Sequence, residues 1–215
     1  MRKPIKLKDK SILCSTTDAG AALYASPIVK KLRENNQVDI YAGPHGSLVL
    51  TQNGVFHKPL NNEIKHAAIA RSLVRKKKYD LFLRGTNLGP SLEKELTLLG
   101  KSHGIPTIAF IDHFSHPWQR FAQLEEQKKN VFLPNDIWVI DRWVKDRLIE
   151  NCVPSPIIKI AAHPYLKTLK KRSEKTNRSE MLRKLEIPQE SKIITIASEP
   201  PPTGKIAWAS EELSP

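Results

Sequence analysis

Short apolar runs with a β-branched bias recur along the chain. Each is followed by a polar turn and then by a stretch in which apolar residues return every three to four positions. The runs SILCST (11–16), QVDIYA (37–42), DLFLR (80–84), TIAFI (107–111) and IWVI (137–140), with a short one over 157–161, predict strands, several of them buried on both faces. Residues 54–60 predict one more. Helices are expected over 21–36, with Leu23, Ile28, Val29 and Leu32 on one side, and over 61–78, capped by Asn61-Asn62, with Ile64, Ala67, Ala68, Leu73 and Val74 apolar. Others are expected over 47–53, 91–103 and 142–151. Such alternation predicts an α/β fold with a doubly wound, mainly parallel, Rossmann-like sheet, because right-handed crossovers return each strand parallel to its neighbour.

The texture changes near Leu166. The charged stretch KTLKKRSEKTNRSE has no hydrophobic period and reads as a linker or a solvated helix. A short helix over 180–185 and a buried-strand pattern over 191–197 follow, and then a proline-rich break over 198–204. The expected organisation is therefore a basic tail (1–10), a Rossmann-like N-terminal domain (11–170), a charged linker (171–180) and the start of a truncated second α/β domain (181–215), whose lone strand would leave Ile193, Ile194 and Ile196 exposed.

Chemistry concentrates in TIAFIDHFSHPWQRF, residues 107–121. Where the apolar run stops, Asp112, His113, Ser115, His116, Gln119 and Arg120 begin, and Pro117 suits the first turn of a helix capped by Ser115. Ligands of open parallel sheets bind beyond the carboxyl ends of the strands. The first strand likewise empties into Thr17-Asp18-Ala19-Gly20, where Thr17 or Asp18 can cap a helix and backbone N–H groups can seat an anion. The strand over 80–84 runs into Gly85-Thr86-Asn87. Strand polarity predicts that Thr17, Asp18, Gly20, Gly85, Asn87, Asp112 and His113 line one cleft, with His116 and Arg120 as further acceptor or phosphate ligands. Arg84 and Arg120 suit a phosphate or carboxylate, or a surface ion pair. The D-H-x-x-H spacing with a distant His163 lacks a completing ligand, so no metal or other cofactor is expected.

A formal net charge of +13, gathered in residues 2–10, 75–78, 128–129 and 167–175, favours anionic surfaces, including a membrane face, over nucleic acid, since no recognised nucleic-acid motif accompanies it. The absence of an 18-residue apolar run or a secretion leader predicts a soluble, cytoplasmic protein, peripheral at most to the inner membrane face. Cys14 and Cys152 are expected to be reduced and inert.

Three passages carry a resemblance: TTDAGAALYASPIV (16–29), FIDHFSHPWQRF (110–121), and LPNDIWVIDRWVKDRLIE followed at a distance by HPYLKTL (133–169). In these the chain resembles the two-Rossmann-domain (GT-B) glycosyltransferases and the related nucleotide-sugar 2-epimerases. The resemblance implies an acceptor-binding N-terminal half, with the nucleotide-sugar donor held chiefly by a C-terminal domain, and hence a half that is inactive alone. An acceptor hydroxyl must lose its proton to a group standing within about 2.6–3.2 Å. His113, oriented by Asp112, or Asp112 itself, is the expected catalytic group, unless the two only brace a strand-to-helix corner. The opening loop lacks the arginine-plus-glutamate signature of an epimerase, which favours a transferase acting on a glycan or glycoconjugate acceptor. The alternatives are a non-catalytic Rossmann-like module holding a phosphorylated or nucleotide ligand at the first-strand loop, and an epimerase or phosphotransferase of similar fold.

Overall fold

Alternation within each strand divides the core between the two faces of a sheet. In β1 (Ser11–Thr16), Ile12 and Cys14 point to one face and Leu13 to the other; in β4 (Leu81–Arg84), Leu81 and Leu83 oppose Phe82 in the same way. A computed structural model of the chain describes residues 7–60, 64–174 and 177–195. Its seven strands pair in the order β3-β2-β1-β4-β5-β6-β7, and every ladder is parallel. The others are β2 (Gln37–Ala42), β3 (Lys58–Pro59), β5 (Thr107–Phe110), β6 (Asp136–Val139) and β7 (Ile158–Ile160). Strand order reverses between β1 and β4, which makes the carboxyl ends of these two strands the topological switch point.

Helices α1 (Ala19–Leu32) and α2 (Pro44–Gln52) cover one face, burying Ala21, Tyr24, Val29 and Leu50 against Ile40, Leu83 and Phe110. Leu73 of α3 (His66–Lys76) and Leu92 and Leu96 of α4 (Leu92–His103) close on Leu13 and Phe82 on the other. Val144 and Leu148 of α5 (Arg142–Glu150) pack with Ala109, Ile111, Ile137 and Val139. Each fully buried side chain of this size contributes about 1.5–3 kcal/mol.

By compactness the chain divides into two units, Met1–Arg172 and Ser173–Pro215. The charged stretch expected as linker or solvated helix carries α6 (Pro164–Glu174) and α7 (Arg178–Lys184), the latter capped by Asn177 Oδ1, which accepts from Glu180 N. The predicted strand over 191–197 does not form in its described part: residues 191–195 are unpaired in any ladder, and Ile193 and Ile194 are exposed. Residues 196–197, the break over 198–204, the Asn61-Asn62 cap and most of the basic tail lie outside the described residues.

Other boundaries moved for local reasons. The strand expected over 54–60 shrinks to two residues, because Gly54 turns the chain at φ 62° and Pro59 has no N–H to donate. No α-helix follows Pro117. Proline disfavours the helical region for the preceding residue, and His116 adopts φ 50°, so only 3₁₀ turns form at Gln119–Phe121 and Leu124–Glu126. Among the described residues no helix is long and apolar enough to cross a membrane.

Candidate functional site at the strand ends

The site begins with the turn that leaves β1. Asp18 takes the N-cap position of α1 but its side chain makes no capping bond. It accepts instead from Asn87 Nδ2, at 3.3 and 3.4 Å, across the switch point. Asn87 is fixed in turn by Gly89 N, which donates to its Oδ1 at 2.9 Å. Asp112, just beyond β5, lies against the first turn of α1, so closely that a Cβ at Gly20 would stand 2.0 Å from its Oδ2. A carboxylate there is favoured by the helix N-terminus. Arg120 closes the group. Its Nη1 lies 3.8 Å from Asp112 Oδ1 and donates to Thr86 O and Oγ1 at 3.2 Å, while its Nε donates to Ser115 O.

Thr17, Asp18, Gly20, Asn87, Asp112 and Arg120 are thus brought together by the ends of β1, β4 and β5. Gly85 belongs to the packing beneath them, since a Cβ there would meet Ala21 Cβ at 2.6 Å. His113 is exposed; its Nδ1 bonds Ser115 Oγ at 2.8 Å, and its ring stacks on Phe114, which meets Trp143 edge-on. Ser115 therefore does not cap a helix. His116 lies in the left-handed turn that precedes Pro117.

Electrostatics single out Asp18. Burial first, then the charges of Glu93 and Asp112, raise its carboxyl from the usual 3.8 to about 6, against the opposing effects of Arg120 and His45. Burial, helped by Asp112, also pushes the Tyr24 hydroxyl up to about 12, and Tyr24 lies between Phe110, stacked at 4.7 Å, and His163, edge-on at 4.8 Å. Burial lowers His163, with Asp112 opposing.

Sequence reasoning missed Glu93 and Lys94. In LEKEL they resemble a solvated first turn, yet both are buried. Glu93 accepts from Ser15 Oγ (3.1 Å), Thr17 N (2.7 Å) and Thr17 Oγ1 (2.6 and 2.7 Å). Lys94 Nζ donates to Leu88 O and Ala122 O, tying the loop after β4 to the one after β5. Only the Ser91 cap, which accepts from Lys94 N, signals in sequence that these residues start a helix.

Arg84 is not on the surface. Fully buried, it donates to Gly85 O and Phe132 O, sits over the Phe121 ring, and is held down at about 10 by burial. Cys14 is buried and Cys152 exposed, both as free thiols, and burial raises the Cys14 thiol far above its usual range. Among the described residues no three His, Cys, Asp or Glu side chains gather as a metal set. Hollows of about 400 and 370 Å³ flank α3, lined by residues such as Arg71, Arg75 and His103 or Tyr41 and Leu73. Neither brings a carboxylate to a polar partner as the strand ends do.

No protein-family model and no curated protein matches the chain. Solved structures do. MnaA of S. aureus, determined with UDP, superposes with a TM-score of 0.59 at 14% identity, over 82% of this chain and 51% of that one. The UDP-GlcNAc 2-epimerase of Neisseria meningitidis, bound to UDP-GlcNAc, gives 0.58 at 12% identity over 84% and 55%. The glycotransferase of kitacinnamycin gives 0.50 at 14% over 73% and 52%. The chain spans about half the length of each. Its architecture is therefore the Rossmann-like α/β fold that forms one half of these GT-B proteins, as the resemblance in sequence implied.

Proposed function

We propose that this chain is the acceptor-binding half of a GT-B glycosyltransferase, seating a glycan or glycoconjugate hydroxyl at the ends of β1, β4 and β5. The observation that carries the reading is the cluster of Asp18, Asn87, Asp112 and Arg120 across the switch point. The start of α1 would ordinarily suit a phosphate. Here the Thr17 N–H is taken by Glu93, Asp112 covers Gly20, and Asp18 stands between, so a further anion would meet three carboxylates. A hydroxyl meets the opposite situation, with carboxylates to accept its hydrogen and Arg120 and Asn87 to orient it. Asp112, with Asp18 beside it, is the proton acceptor in this reading. His113, Phe114 and Trp143 form an exposed aromatic wall beside it. The nucleotide-sugar donor belongs chiefly to the other half, in keeping with the UDP and UDP-GlcNAc complexes of the structural neighbours.

The test is to titrate the chain with a panel of neutral oligosaccharides, with inorganic phosphate and with UDP-GlcNAc, following amide shifts. Glycan-induced shifts at Asp18, Asn87 and Asp112, weakened about tenfold or more by Asp112→Asn, are expected. Shifts at residues 17–20 with phosphate or UDP-GlcNAc and none with glycans would replace this reading by a nucleotide-binding module. The epimerase reading draws on the Neisseria meningitidis neighbour, a UDP-GlcNAc 2-epimerase; conversion of UDP-GlcNAc to an isomerised nucleotide sugar would establish it.

A further inference from the structure

Glu93 is 1% exposed, and its carboxylate forms no ion pair among the described residues, although it and the buried Arg84 feel each other's charge. Its partners are the Ser15 hydroxyl and the N–H and hydroxyl of Thr17, the residue immediately before Asp18. Burying such a group is costly, and a helix first turn on the surface would not require it. Its placement has a consequence one residue on. An N-cap aspartate normally turns back to accept from the helix N–H groups, whereas Asp18 is turned away from them and toward Asn87.

We propose that Glu93 is the positioning residue of the strand-end site: by holding the N–H and the hydroxyl of Thr17 it fixes the turn that aims the Asp18 carboxyl at Asn87. The role rests on the acceptor reading for its use, but not for its test. Glu93 also acts by charge. The charged and titratable groups facing Asp18 are Glu93 from α4, Asp112 from the loop after β5, Arg120 from the 3₁₀ turn and His45 from α2. Of the two acids, Glu93 has the larger effect in keeping Asp18 protonated. One buried carboxylate thus sets the direction of a second and the pH at which it can accept a proton.

The experiment is a carboxyl-carbon NMR titration of Asp18 in the whole chain, with and without Glu93→Gln. Glutamine keeps the shape and one acceptor for Thr17 N but loses the charge. The Asp18 midpoint should fall by about half a pH unit or more, and the Asn87 side-chain amide signals should shift. Thr17→Val, which removes the hydroxyl and leaves the charge, should move the Asn87 signals; it also serves as the test should Glu93→Gln not fold. An Asp18 midpoint unmoved in Glu93→Gln, or Asn87 signals unmoved in Thr17→Val, would overturn the proposal. A lowered midpoint with unaltered glycan binding would uphold the role of Glu93 and count against the acceptor reading.

Discussion

Asp18 occupies a position that favours a capping aspartate, but the fold uses it differently, and this has a measurable cost. Its carboxyl rises from 3.8 to about 6 on folding, chiefly through burial. Between those values the folded chain binds more protons than the unfolded one, so this group's contribution to stability falls as pH rises from about 4 to 6, and above that the charged form opposes folding. Asp18→Asn should therefore raise the Tm at pH 7.5, with the gain vanishing toward pH 4. An equal gain at both pH values would show that charge is not the cause. That Asp18 and Asp112 lie just beyond the carboxyl ends of strands was legible in sequence, since each follows an apolar β-branched run. Their pairing with Asn87 and Arg120, and the burial of Glu93, were not, because a helix first turn gives no sign of what packs against it.

At the scale of elements, α4 is the best specified. Ser91 caps it and Gly104, at φ 66°, ends it, as a serine before and a glycine after a periodic stretch predict. Gly100, inside it, answers to a tertiary demand: a Cβ would stand 2.3 Å from Thr107 Oγ1 and 2.9 Å from Ile105 O. Alanine is the better helix former by about 1 kcal/mol. Here the clash with backbone should prevail, and Gly100→Ala should destabilise by about 1–3 kcal/mol in urea unfolding. An unchanged or higher midpoint would mean that β5 yields easily to α4. The segment after β5 shows the reverse case. Its Ser115 and Pro117 have helix-starting chemistry, but Ser115 is bonded to His113 and the chain turns at His116.

For the whole molecule, the charge of +13 is distributed, and one exposed group lies on and after α3: Arg71, Arg75, Lys76 and Lys78. If these hold the protein to an anionic membrane face, each should contribute about 1 kcal/mol near the surface, and Arg71→Ala/Arg75→Ala should weaken cosedimentation with phosphatidylserine vesicles tenfold or more at low salt. Binding that is indifferent to these residues or to added salt would exclude that role. By itself the sequence determined the fold class, the parallel strand polarity and the three strand-end loops in which polar and titratable side chains gather, because hydrophobic period and glycine or proline punctuation are local properties. Only the tertiary structure decided which of those loops' side chains meet. The order of strands places β4 between β1 and β5, and the register then brings Asn87 to Asp18, Asp112 to Gly20 and Glu93 beneath Thr17. These contacts join residues dozens of positions apart, and their energies depend on burial that no local pattern encodes.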